Sequence, residues 1–257
     1  MLSLHGVTKS FNGTHVVRDV SFTVGAGEIV GLVGVSGSGK STIARCILGL
    51  ERPDRGTTRW EDQPLTDRAV RRLARRQIQT VFQDPRSSLN PRWTVRQLLS
   101  EPLDNWSGRT AREKRVARLE TLLRQVSLSP DLLARYPHEL STGQCQRLCV
   151  ARALAPEPKL LVLDEPLSAL DVSVQARILK MLAKLHQETG LSYLVITHDF
   201  AVVRDICHRV IVLDAGQVVE TGSVDDVLDH STNARTRALL QNVLPVPFTL
   251  QDTNTPH

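Results

Sequence analysis

Eight residues constrain this chain more than any others. Gly34-Val35-Ser36-Gly37-Ser38-Gly39-Lys40-Ser41 fits the pattern G-x-x-x-x-G-K-[ST]. The short apolar run Glu28–Val33 precedes it and reads as a buried strand. Thr42–Leu48 follows, apolar at helical spacing, with Gly49 as its stop. Strand, glycine loop and helix together make an anion cradle. Glycines let backbone N–H groups curl around a phosphate, and the helix N-terminus adds partial positive charge. Lys40 brings a point charge to the outer phosphates, and the Ser41 hydroxyl is suited to Mg²⁺. The alternative, a flexible turn with a solvated lysine, leaves the agreement of spacing and flanks unexplained.

Two later segments carry chemistry to match. Lys159–Glu165 is four apolar residues followed by two acids, as expected of a buried parallel strand that delivers carboxylates to its C-terminal edge. There Asp164 is placed for the Mg²⁺ shell and Glu165 for orienting an attacking water. In isolation the pair also reads as an acidic cap at a strand end. Ser192–His198 repeats the design, ending in His198, which is suited to bonding a γ-phosphate and that water. A lone histidine at a strand end is more often structural, so this role leans on the other motifs.

The rest of the chain frames these segments. Leu2–Val7 and Val16–Val24 flank Asn12-Gly13 and predict an antiparallel hairpin. Phe11, beside that turn, is either part of a surface cluster or a platform for a purine ring. Pro53–Gly56 reads as a turn, and Thr57–Trp60 and Ile78–Phe82 as short strands. From Gln83 to about Pro158 the pattern is helical, punctuated by Pro85, Pro91, Pro102, Pro130 and Pro137, with an apolar stripe at Val116, Leu119, Leu122, Leu123 and Val126. Arg209–Leu213 and Gln217–Glu220 predict a second hairpin, and residues from about Pro245 read as a disordered tail. The expected fold is thus α/β: a core built on the phosphate loop, with an N-terminal antiparallel β subdomain, a helical insertion at about 84–158, and one domain over residues 1–244.

Composition excludes several classes. No apolar run approaches the roughly 18 residues of a membrane span, and no signal-peptide h-region opens the chain. Cys46, Cys145, Cys149 and Cys207 lack metal-ligand spacing and read as packed thiols. The net charge of +5 is mild. Its densest cluster, Arg68, Arg71, Arg72, Arg75 and Arg76, has no interleaved aromatics. That argues against nucleic acid and for a solvated helix with Ala69, Val70, Leu73 and Ala74 turned inward.

Leu140-Ser141-Thr142-Gly143-Gln144 begins a helical run shortly before the acidic strand. With the phosphate loop it resembles the signature sequence of ATP-binding cassette (ABC) ATPases. The ordered set resembles that family over roughly Met1 to Leu240. The resemblance implies Phe11 as adenine platform, ATP phosphates on Gly34 through Thr42, and Gln83 in the Gln-loop among the Mg²⁺ ligands with Ser41 and Asp164. It further implies Lys40, Glu165 and His198 in hydrolysis, and Ser168–Asp171 as the D-loop, with Asp171 beside the nucleotide. In this family Ser141, Gly143 and Gln144 grip ATP bound to the opposite subunit, so binding closes a dimer and hydrolysis opens it. Thr142 departs from the pattern, where glycine is usual; a β-branched residue narrows backbone freedom and adds bulk.

Phe82–Arg92 is similar to the Gln-loop region of the peptide/nickel importer branch, and Thr236–Leu240 to its C-terminal segment, although Asn233-Ala234-Arg235 replaces the usual His-Pro-Tyr. The short chain looks more like the nickel-type second ATPase subunit. The resemblance implies a different ATPase subunit as dimer partner, two transmembrane permease subunits, and an extracytoplasmic substrate-binding protein. It implies a peripheral place on the cytoplasmic face of the plasma membrane. The alternatives are an importer for another small solute, or a soluble ABC ATPase of translation or DNA repair, which usually carries two cassettes or a long coiled coil. A phosphate-loop kinase would leave Leu140–Gln144 and His198 unexplained.

Overall fold

The structure is a computed structural model that describes residues 1–107, 112–168 and 170–243. The expected tail from Pro245 and Ala169 of the expected D-loop lie outside the described residues.

Three strands read from sequence as apolar runs form the centre of the molecule. β3 (Ile29–Val33) and β8 (Ser192–Thr197) are buried throughout, and β7 (Leu160–Asp164) is buried except at its last residue. Continuous burial is what a parallel strand covered on both faces requires. They sit in a six-stranded sheet of order β10-β9-β3-β8-β7-β6, with β6 at Ile78–Val81, β9 at Arg209–Asp214 and β10 at Gln217–Ser223. Only β10 runs antiparallel, joined to β9 by the expected hairpin.

Side-chain alternation divides the core in two. Val30, Leu32, Leu160, Val162, Leu194 and Ile196 face one apolar cluster. It is shared with helix α1 (Lys40–Ile47) and with the antiparallel sheet. Ile29, Val33, Leu161, Leu163, Tyr193 and Val195 face the other, which the remaining helices fill. The antiparallel sheet has the order β2-β1-β4-β5, from β1 (Leu2–Phe11), β2 (Thr14–Val24), β4 (Arg55–Trp60) and β5 (Gln63–Pro64). Asn12 and Gly13 turn β1 into β2 with φ of 49° and 80°, the left-handed pair that a two-residue hairpin demands.

Between β6 and β7 lie α3 (Val95–Ser107), α4 (Arg112–Gln125) and α5 (Thr142–Leu154), the expected helical insertion. Leu119, Leu122, Leu123 and Val126 of the expected stripe are fully buried. Pro102 does not punctuate: α3 runs through it, held by the buried Leu98, Leu99 and Leu103 on either side. The arginine-rich segment is helix α2 (Arg68–Gln77), capped by Asp67, but its inner stripe is thinner than expected. Ala74 is buried and Val70 packs half-buried against the core, but Ala69 is exposed and Leu73 stands 46% exposed, so only part of the expected face finds a core to meet. α6 (Val172–Thr189), α7 (Phe200–Ile206), α8 (Val224–Asp229) and α9 (Ala234–Val243) complete the chain. Among the described residues no helix is long and apolar enough to cross a membrane. All four cysteines are free and buried.

Candidate functional site

The sheet register gathers the predicted residues. Val33 pairs with Thr197, and Asp164 with Ile196. β3, β8 and β7 are neighbours, so Gly34, His198 and Glu165, each just past its strand, fall in a row at the carboxyl edge. β6 pairs Val81 with Leu163 and adds Gln83 to the same row. A cavity of about 520 Å³ opens there. It is lined by Gly34, Val35, Ser36, Gly37, Gly39, Lys40, Ser41 and Thr42, by Gln83, Glu165 and His198, and by Val16, Phe200 and Leu239. The carboxyl edge of an open α/β sheet is where such ligands bind.

The phosphate loop is shaped by close backbone approach. A Cβ on Gly34 would stand 2.1 Å from the Leu213 carbonyl oxygen. Gly39, which precedes α1, has φ of 105°, a left-handed value that L side chains avoid. The loop is braced from β10's side, where Gly216 N donates to Ser38 O at 3.1 Å. Lys40 is 6% exposed, and its ammonium donates to the carbonyls of Gly34 at 2.7 Å and Val35 at 2.9 Å. Burial lowers its pKa, against the pull of Glu165 and Asp164.

Opposite it, burial and the neighbouring Glu165 raise the pKa of Asp164, with Lys40 and Arg45 opposing. Among the described residues Asp164 Oδ1 is buried without a hydrogen-bond partner. Asp164 itself does not line the cavity, but it directly precedes Glu165, which does, and its charge acts on Lys40; a buried, unbonded carboxylate oxygen there fits a hard divalent cation. Glu165 has φ of 49°; its N–H donates to Ile196 O at 2.8 Å, which fixes this strained backbone to β8. Its Oε1 lies 2.9 Å from His198 Nδ1. The histidine side chain is 59% exposed and the glutamate 15%, so the pair presents one wet and one sheltered partner to the cavity.

A family profile described as "ABC transporter" matches residues 17–168, more than half of the chain. The chain belongs to the ABC transporter family. Two curated relatives of this cassette are the nickel import ATP-binding proteins NikE of Shigella dysenteriae serotype 1 and Escherichia coli strain K12. Each is 46% identical over 95% of the cassette and 92% of its own length. Among solved structures, the ATP-binding cassette MJ0796 in a dimeric post-hydrolysis state with ADP and Pi superposes with a TM-score of 0.78 at 32% identity. That match covers 87% of this chain and 99% of the other. CbiO1 from Clostridium perfringens, part of the ABC transporter complex cbiONQ, superposes with a TM-score of 0.80 at 28% identity over 88% and 89% of the two chains.

Other predicted residues of the cassette do not line the cavity. Phe11 ends β1, 38% exposed, with Lys9 Nζ 5.2 Å from its ring centroid. Ser141 caps α5: Gln144 N donates to Ser141 Oγ at 3.2 Å, and Ser141 N to Gln144 Oε1 at 2.8 Å. Both side chains are thus committed to the helix start, with Ser141 exposed. Asp171 caps α6 through Val174 N at 2.9 Å. Gly143 packs so tightly on α6 that a Cβ would meet Val174 Cγ1 at 2.6 Å. Thr142 is the first residue of α5 and is absent from the left-handed residues. No glycine-only conformation is needed there, and its bulk alone distinguishes it from glycine.

Three cavity residues escaped the sequence reading. Val16 lies on the hairpin strand, Phe200 follows His198 by two positions, and Leu239 comes from the C-terminal helix. Phe200 had a signal in its closeness to His198; Leu239 had none.

Proposed function

We propose that this ABC ATPase energises an importer of nickel. It would pair with a second ATPase subunit on the cytoplasmic face of the membrane, beneath two permease subunits fed by an extracytoplasmic binding protein. The observation that carries the reading is 46% identity to nickel import ATP-binding proteins over nearly the whole length of both chains. Nickel is cargo in this reading and meets the permease path, not this chain.

The geometry supports a division of labour within the cavity. Gly34 through Thr42 cradle the phosphates of ATP, with Lys40 released from its own loop carbonyls to the outer phosphates. Ser41, Asp164 and Gln83 would hold Mg²⁺, which when bound neutralises phosphate charge. Glu165 orients the attacking water and accepts its proton, and His198, hydrogen-bonded to Glu165, bonds the γ-phosphate. Ser141, Gly143 and Gln144 stand outside this cavity, at the N-terminus of α5, a placement that suits action on the partner's nucleotide. Asp171 and Phe11 would flank nucleotide in the closed dimer.

Co-purification with its membrane subunits, reconstitution into proteoliposomes and ATP-driven uptake assays test the proposal. Ni²⁺ uptake in preference to dipeptides is expected. Dipeptide uptake without Ni²⁺ uptake, or co-purification with ribosomes and not with membrane proteins, overturns it.

A further inference from the structure

The cavity that holds Lys40 and Glu165 is closed on one side by the far end of the chain. Leu239 lines it together with Phe200, which opens α7 two residues after His198. Leu239 and Phe200 belong to one buried apolar cluster, whereas Val16, also in the cavity wall, packs against the other. Leu239 therefore stands on the side that carries Phe200, the first residue of α7.

Helix α9 is fastened at that place. Asn233 Nδ2 donates to Val219 O at 2.8 Å, and Asn233 Oδ1 accepts from Arg235 N at 2.9 Å, capping the helix. Arg235 pairs with Asp214 at 3.5 Å. Asp214 follows Leu213, whose carbonyl limits Gly34, so α9 is tied to the turn that braces the phosphate loop.

We propose that Leu239 is a positioning residue for hydrolysis. It fills the apolar cluster behind the start of α7 and so keeps His198 at its 2.9 Å contact with Glu165. His198 is largely exposed, so the backbone turn behind it has to supply the order its ring lacks. The inference rests on the reading of Glu165 and His198 as the hydrolytic pair.

The test compares Leu239→Ala, Leu239→Met, Leu240→Ala and Glu165→Gln in the full chain with its partner subunits, by phosphate release and by binding of a fluorescent ATP analogue. Leu240 is as buried as Leu239 but does not line the cavity, so it reports loss of packing alone. Leu239→Ala is expected to lower kcat about 5- to 20-fold with KM and nucleotide affinity within about twofold, because misplacement by a fraction of an ångström costs rate before it costs binding. Leu239→Met should restore kcat to within about twofold, and Leu240→Ala should keep it there. An unchanged kcat in Leu239→Ala, or an equal loss in Leu240→Ala, overturns the inference while leaving the hydrolytic pair intact. Should Leu239→Ala not fold, Leu239→Val carries the same test, with a fall of about threefold expected and an unchanged kcat counting against it. Normal turnover in Glu165→Gln overturns the underlying reading, and this inference with it.

Discussion

Asp164 and Glu165 are adjacent in sequence, yet the fold gives their carboxylates different work. Among the described residues Asp164 keeps a buried oxygen without a partner, while Glu165 contacts His198 in the cavity wall. Replacing Glu165 with Gln preserves shape and removes the proposed base. It should lower kcat by about 10²–10⁴-fold with MgATP affinity retained, read by phosphate release and nucleotide binding. Near-normal release would remove Glu165 from the role. Asp164 carries a cost that function imposes. Burial and Glu165 hold its folded pKa above the ordinary value, so its stabilising contribution is full below the unfolded pKa near 3.8 and is lost as pH rises through the folded pKa. Asp164→Asn should therefore raise Tm at neutral pH without nucleotide or Mg²⁺, and leave it unchanged in acid below the carboxylate range. The same variant should lose Mg²⁺-dependent ATP binding. A lower Tm at neutral pH would show that the attraction of Lys40 outweighs burial.

At the scale of elements, α5 and α6 meet closely at Gly143. Gly143 N-terminally in α5 leaves no room for a methyl against Val174 of α6. Gly143→Ala gains helix propensity of up to about 1 kcal/mol but forces this contact, so a net loss of about 1–2 kcal/mol is expected in denaturant melts. In a Val174→Ala background the same substitution should become neutral or stabilising; additive effects would place the strain elsewhere. These elements also show what the sequence made legible. β3, β7 and β8 read clearly because strands buried on both faces have apolar interiors, and β7 and β8 each end in a polar residue that marks the edge. The register then makes Gly34, His198 and Glu165 neighbours, which spacing along the chain only hints at. Leu239 was illegible because its relevance lies in sharing a cavity wall with Phe200, and no periodicity records that placement. The inner stripe of α2 was overread, since a periodic face shows which side could pack but not how much of its length finds a core. The proposed roles of Ser141 and Gln144 concern a partner's nucleotide, and neither residue lines this chain's own cavity.

At the scale of the whole molecule, the two sheets are fastened at a polar joint between Glu28, at the entrance to β3, and Arg209, at the start of β9. The guanidinium donates to Glu28 Oε1 at 2.8 Å and to Oε2 at 3.2 Å, and also to the Thr23 carbonyl at 2.7 Å on β2 of the antiparallel sheet. Glu28 also accepts from Gly25 N at 2.7 Å, which holds the loop that carries the chain from one sheet into the other. A bidentate, half-buried pair of this kind is less screened than a surface ion pair. Burial alone would raise the Glu28 pKa, but the Arg209 hydrogen bond, the Gly25 amide and the nearby charges bring it below its ordinary 4.5. A lowered carboxylate pKa means that the folded chain prefers the ionised form more than the unfolded chain does. Its stabilising contribution is complete above about pH 4.5 and is lost as pH falls through the folded value. Glu28→Gln should therefore lower Tm at neutral pH by a margin that closes below about pH 4.5, where wild type has lost the same charge. Because the joint links the sheets and not the cavity residues, nucleotide affinity at neutral pH should stay within about twofold of wild type. A Tm difference that persists undiminished into acid would mean that Glu28 acts through packing of its stem, and not through its charge on Arg209.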